Sequence, residues 1–191
     1  MNRLFRLAGL LAALLLAACA STPPAPQVPV ARPVREALQS FAFNGRVAIT
    51  QGRSSNTVRI AWEHAPARDV IGFATPLGTV LAELQSTPEG ALWTNADGDR
   101  YAAPTADRLI TRLTDKPVPV NALALWVTGR LSPRAEGVER DALGRLRQAS
   151  DQGWSVRVTA YESDLPNALP RALDLEYPDL RLRIAIEEWF L

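Results

Sequence analysis

The chain is poor in the residues that most often carry chemistry. Among 191 residues there is one cysteine (Cys19), one histidine (His64), one lysine (Lys116) and one methionine. A single cysteine excludes an intramolecular disulfide framework. One histidine and one cysteine are too few for a zinc site built from those residues. A Ser-His-Asp triad would have to use His64, which is expected on a surface turn before Ala65-Pro66. There is no Gly-x-Ser-x-Gly elbow and no glycine-rich phosphate loop. Carboxylate pairs such as Glu187-Glu188, or Glu136 with Glu139, stand beside polar or basic neighbours and read as solvated surface. Charge of one sign is also lacking: 21 basic residues face 20 acidic ones, a net +1. That balance offers nothing to nucleic acid. No apolar run reaches the roughly 20 residues needed to cross a bilayer as a helix. Neither an enzyme nor a metal or cofactor protein is expected.

What is present starts at the N-terminus. Arg3 and Arg6 precede residues 7–18, all of them Leu, Ala or Gly. A charged start, a short apolar stretch and small residues before a cut site describe a secretory signal over 1–18. Leu16-Ala17-Ala18-Cys19 matches the lipobox of bacterial lipoproteins. The match implies cleavage before Cys19, diacylglycerol on its sulfur and an acyl group on the new N-terminus. The alternative is an ordinary signal that happens to contain a cysteine. A lone thiol is a liability in an oxidising compartment, and lipidation removes it. Three acyl chains also anchor far more firmly than one. Ala20, rather than Asp, follows the cysteine; by the lipoprotein sorting pattern this implies the outer membrane, with the domain facing the periplasm. Residues 21–33 hold five prolines among small residues and read as an extended tether. At about 3.1 Å per residue it would span roughly 30–40 Å. The remaining 34–191 suit one domain.

Within that domain the period of the apolar residues changes along the chain. Val34, Leu38 and Phe41 predict a short helix over 34–41, opened by Pro33. Alternation then predicts a hairpin: Phe43, Gly45, Val47 and Ile49, a turn at 51–55, then Val58, Ile60 and Trp62. Further strands are expected at 69–75, 79–85, 91–95 and 100–102, the last two joined by Asp97-Gly98. Thr105 caps a helix carrying Ala106, Leu109, Ile110 and Leu113. Lys116-Pro117-Val118-Pro119 stops it, and Asn121 is expected to cap a second helix ending at Gly129. Strands resume at 145–149, 154–161, 172–177 and 180–189, with Pro178-Asp179 as the last turn. About ten antiparallel strands with a few short helices make a mainly β (α+β) fold. It reads as a curved sheet or incomplete barrel with one apolar face under a helical cap. Helices this short leave room for an apolar cavity beneath them, although a packed core without one fits the pattern equally well.

The ordered set of segments resembles the LolB family of outer-membrane lipoproteins. The residues that carry the resemblance are the lipobox, Asn44-Gly45-Arg46-Val47-Ala48, Trp62, Thr75-Pro76-Leu77-Gly78 and Leu81-Ala82-Glu83-Leu84. They continue with Asp97-Gly98, Tyr101, Pro117-Val118-Pro119-Val120, Leu123, Trp126-Val127, Gly129, Gly153-Trp154 and the terminal strand with Leu182, Ile184 and Ile186. The resemblance implies a half-barrel of 10–11 strands with a lid over a cavity for lipoprotein acyl chains. It implies a monomer that receives client lipoproteins from the periplasmic carrier LolA and inserts them into outer-membrane lipid, with no cofactor beyond the lipid on Cys19. The related carrier fold lacks the lipobox, so Cys19 separates the two. With the resemblance in hand, Val47, Ile49, Val58, Ile60, Trp62, Leu109, Ile110, Leu113, Leu123, Trp126 and Val127 are expected to line the cavity. Leu77, between Pro76 and Gly78 where a turn normally carries a polar residue, is expected to enter the membrane. A non-catalytic scaffold lipoprotein with a filled core is the competing expectation.

Overall fold

The computed structural model describes residues 33–191. The expected signal, Cys19 and nearly all of the tether lie outside the described residues. Eleven strands form one antiparallel sheet. They are β1 (Phe41–Gln51), β2 (Ser54–Ala65), β3 (Arg68–Ala74), β4 (Val80–Thr87), β5 (Gly90–Asn95) and β6 (Arg100–Ala103), then β7 (Glu136–Arg140), β8 (Leu146–Asp151), β9 (Trp154–Tyr161), β10 (Pro170–Tyr177) and β11 (Leu180–Phe190). Between β6 and β7 lie α1 (Ala106–Thr114) and α2 (Val120–Trp126).

The order across the sheet is β6-β5-β4-β3-β2-β1-β11-β10-β9-β8-β7. Two meanders of sequential hairpins therefore stand side by side, joined where β1 pairs with β11. The edges, β6 and β7, do not meet. The chain must travel from one edge to the other, and it does so through residues 104–135. This crossing carries α1 and α2 over the apolar face, which is how a sheet with one greasy side is covered.

Local chemistry explains the turns. Gln152 and Gly153 both have positive φ (52° and 80°), the pair that a tight two-residue hairpin demands. Gly45 is required for another reason. β1 carries an irregularity against β11 at Asn44/Gly45. A Cβ on Gly45 would stand 2.5 Å from the Ala185 carbonyl oxygen.

Four sequence expectations need correction. The helix over 34–41 is a single 3-10 turn, Arg35–Ala37. Val34 is exposed, while Leu38 and Phe41 enter the core from extended backbone. The turn is fixed by Arg35, whose guanidinium donates to the carbonyls of Pro166 (2.6 Å) and Ala168 (2.7 Å). Asn121 lies inside α2, which begins after Pro119. The first turn of α2 is held by Asp107, which accepts from Val120 N–H at 2.8 Å. β7 was not expected: Glu-Gly-Val-Glu-Arg is exposed at every position and has no apolar alternation. It is an edge strand protected by charge. His64 is inside β2 rather than on a turn. Its ring stacks on Phe41 (4.7 Å), and Nδ1 is 2.7 Å from Asp69, which also accepts from the Trp62 indole at 2.8 Å. His64 and Trp62 together satisfy the buried Asp69 carboxylate and fasten β2 to β3.

An apolar cavity as the candidate functional site

The two halves of the covered face differ. Under α2, on the β8–β10 side, the interior is packed. Trp126, Val127, Trp154, Val156, Leu173 and Leu175 are fully or almost fully buried. Trp126 packs against Trp154, with ring centres 6.1 Å apart. The Trp126 indole N–H donates to Asp151 at 2.8 Å, and Asp151 also accepts from Ser132 N–H at 2.8 Å. Burying an indole without such a partner would be costly. These bonds lock the C-terminal end of α2 to the sheet.

Under α1, on the β1–β5 side, the face is not filled. A cavity of about 390 Å³ remains. Its floor is Val47 and Ile49 of β1, Val58, Ile60 and Trp62 of β2, and Ile71 and Phe73 of β3. Leu81, Ala82 and Leu84 of β4, Trp93 of β5 and Leu180, Leu182 and Ile184 of β11 complete it. Register brings these together: Val47 pairs with Val58 and Ile184, and Ile49 with Leu182. The roof is Ile110 and Thr114 of α1, then Lys116 and Val118, then Val120 and Leu123 of α2. Polar side chains enter only as Gln51, Thr114 and Lys116. Gln51 ends β1 and pairs with Leu180 at the start of β11, so its side chain marks the end of the sheet where the β1–β2, β3–β4 and β10–β11 turns lie. The lining residues nearest that end, Gln51, Leu81 and Thr114, are exposed, so the cavity opens there; apart from Lys116, the rest of the lining is apolar.

Seven of the expected residues are thus gathered here: Val47, Ile49, Val58, Ile60, Trp62, Ile110 and Leu123. Four are not. Leu109 is wholly buried but belongs to the packed core and not to the cavity lining. Ile110 and Thr114, one turn apart on α1, line the cavity, whereas Leu113, 36% exposed, does not. Trp126 and Val127 belong to the packed half. The inward residues of β3, β4 and β11 were missed. Alternation marked them, but only the strand order shows that they face the same space. Leu81 needed more: β4 bulges against β3 at Phe73/Ala74, so Leu81 and Ala82 both reach the cavity.

The loop between β3 and β4 lies at the mouth end. Gly78 N–H donates to Thr75 O (2.9 Å) and Thr75 N–H to Thr79 O (2.8 Å). This is the pattern of a three-residue hairpin loop, and Gly78 takes the positive φ (93°) it requires. Pro76 and Gly78 flank Leu77, which is 96% exposed, the barest large apolar side chain among the described residues. Val80, 64% exposed, and the half-exposed Leu81 continue the apolar surface toward the cavity.

Nothing in or near the cavity is arranged for covalent chemistry. Groups whose acidity the fold shifts stand elsewhere. Burial pushes the Tyr161 phenol up to about 12, against the opposing pull of Arg35 and Arg145. The hydrogen bond from Arg181 holds Asp174 below the usual carboxylate range, despite its burial. Among the described residues no group of His, Cys, Asp and Glu is placed to hold a metal ion, and no helix is long and apolar enough to cross a membrane. A second hollow of about 520 Å³ lies mainly on the outer face of β1–β3. Its walls mix Phe43, Trp62, Val70 and Phe190 with the polar and charged Asn44, Glu63, His64 and Arg68, so unlike the first it has no continuous apolar lining.

An open antiparallel sheet with a two-helix lid over an apolar cavity is the class of fold this chain adopts. Comparison with known proteins narrows this class. The family model "Outer membrane lipoprotein LolB" matches residues 39–189. The outer-membrane lipoprotein LolB of Azoarcus sp. is 37% identical over 177 residues, covering 93% of this chain and 90% of that one. The LolB of Shewanella sediminis is 33% identical, covering 94% and 84%. A crystal structure of a DUF1329 family protein from Desulfovibrio piger shares the fold, with a TM-score of 0.54 at 8% identity over 81% of this chain and 86% of that one. The chain belongs to the LolB family. It is an outer-membrane lipoprotein concerned with lipoprotein localisation, not an enzyme.

Proposed function

We propose that the chain is the anchored receiver of the localisation route. Lipid on Cys19 holds it at the outer membrane. The domain takes lipoproteins from the soluble carrier LolA as a monomer, lodges their acyl chains in the cavity and releases them into the bilayer. The observation that carries this reading is the hydrocarbon-lined space of about 390 Å³ under α1, with its mouth beside Leu77. The leader fits the same reading. Similarity to the Azoarcus protein covers 93% of the chain, more than residues 33–191 alone make up.

Energetics explain why a cavity is needed. A triacylated protein carries on the order of 40 methylenes at about 0.8 kcal/mol each, so exposing them all would cost roughly 30 kcal/mol. That exceeds what non-covalent binding usually supplies. The chains must pass from one apolar environment to the next without crossing water. Pro76, Leu77 and Gly78 form the part that meets the bilayer, since a bare leucine on a stiff loop loses nothing by entering lipid.

Leu77→Glu tests the delivery step. Carrier-bound lipoprotein is mixed with the variant, and transfer is followed first to the variant and then to outer-membrane vesicles. Uptake persists and delivery falls. Normal delivery by a folded Leu77→Glu protein would remove the role given to this loop.

A further inference from the structure

The only lysine of the chain stands at the mouth of the cavity. Lys116 lines the space from the linker between the two lid helices, and its side chain is 16% exposed. Its ammonium group pairs with Asp179, in the turn between β10 and β11. No other charged residue lines this cavity.

The two partners are not equivalent. Lys116 is held in place: its N–H donates to Thr114 Oγ1 (3.3 Å), and the next carbonyl, Pro117 O, accepts from the Trp154 indole (3.2 Å). The linker is thus tied to α1 on one side and to the packed half on the other. Asp179 is 57% exposed on a hairpin turn. It can swing into water at little cost, whereas the Lys116 side chain, mostly covered along its length, holds its ammonium group at the edge of the apolar space, where losing an anion is penalised. Asp179 is therefore a replaceable anion at the edge of an apolar space.

We propose that Lys116 is the head-group site of this cavity, taking the oxyanion of a single-chain amphiphile, a carboxylate or a phosphate, in place of Asp179. The chain of that amphiphile lies along the hydrocarbon walls toward Trp62 and Leu84. The inference rests on the acyl-binding reading above and adds a ligand class to it. Lipoprotein acyl groups are esters and an amide and bring no charge to Lys116. Free fatty acids and lysophospholipids do, so such membrane-derived amphiphiles compete with cargo for the empty cavity. Charge-assisted bonds to a lysine at a partly desolvated site favour an ionised head over a neutral one.

The test uses the full chain with Cys19→Ala, which keeps every cavity residue and removes the lipid attachment site. Laurate, dodecyl phosphate and 1-dodecanol share one chain length and differ in the head. Each displaces a fluorescent fatty-acid probe at neutral pH. The two anions bind about tenfold tighter than the alcohol, a difference of about 1.4 kcal/mol. Lys116→Gln abolishes that preference by weakening both anions far more than dodecanol. Asp179→Asn, which removes the resident anion, raises affinity for both anions but not for the alcohol. The relative affinity of laurate and dodecyl phosphate tells which head the site prefers. An anion preference that survives in Lys116→Gln overturns the proposal while acyl binding stands. Failure of all three ligands to displace the probe overturns the acyl-binding reading itself.

Discussion

Filling the cavity from its roof should separate binding from folding. Ile110 is on the inward side of α1 and faces the open space. In Ile110→Trp the larger ring has somewhere to go, so the usual cost of overpacking is avoided. The ring would occupy room for roughly four methylenes, each worth about 0.8 kcal/mol of burial. Affinity for a long acyl chain should therefore fall by about 3 kcal/mol, on the order of a hundredfold. Thermal stability should hold or rise, because apolar surface now fills what was void. Leu113→Trp is the matched control: it lies one turn along the same helix, half-exposed and outside the cavity lining, and should lower affinity far less. The assay is displacement of a fluorescent fatty acid by an acylated peptide, with melting followed by circular dichroism. A folded Ile110→Trp protein that binds acyl chains as tightly as the parent would show that chains are held elsewhere. The cavity would then be an incidental packing defect, as a scaffold lipoprotein would have it.

Other expectations follow from the frame around the site. Gly45→Ala places a methyl 2.5 Å from the Ala185 carbonyl oxygen at the seam between the two meanders, and should cost about 3 kcal/mol in denaturant melts; a loss under half a kcal/mol would mean that β1 and β11 separate freely there. Tyr161 should ionise at about pH 12 in an ultraviolet titration, because burial outweighs the arginines around it. Its folded pKa lies above the unfolded value of about 10, so stability should decline as pH rises from about 10 to 12, and Tyr161→Phe should flatten that decline. Asp174 is shifted the other way, chiefly by its hydrogen bond from Arg181. The stability it contributes is present above its unfolded pKa, near 4, and is lost as pH falls through the lower folded value. Asp174→Asn should therefore be less stable than the parent at pH 7, with the gap closing in acid; a gap that widens in acid would refute the assignment.

Much of the fold was legible in order, if not in detail. The period-2 runs around Val47, Ile60, Val156 and Ile184 marked strands, because an amphipathic sheet must alternate. The stripe through Ala106, Leu109 and Ile110 and the cap at Thr105 marked α1. The 3-10 turn at Arg35–Ala37 was misread because an i, i+4, i+7 pattern over eight residues does not reveal that a buried arginine, not Val34, turns inward. β7 was unreadable because an exposed edge strand needs no apolar face.

By itself the sequence determined the family to which this protein belongs, and with it the outer-membrane address. The order of its segments carries the resemblance to the LolB family, and Leu16-Ala17-Ala18-Cys19 carries the expectation of a lipidated Cys19, since both are patterns of the linear chain. It also determined which residues are apolar and with what period, since both are properties of neighbours along the chain. Tertiary structure decided which of those residues enclose empty space and which are packed solid. Leu113 and Ile110 belong to one helical stripe, and only the rotation of α1 against β4–β6 exposes one and turns the other into the cavity. Trp126 and Trp93 are both inward tryptophans, yet Asp151, 25 residues from Trp126, binds its indole into the core. Lys116 and Asp179 meet across 63 residues because β11 returns to pair with β1. Voids, ion pairs and mouths arise between segments that the chain itself keeps far apart.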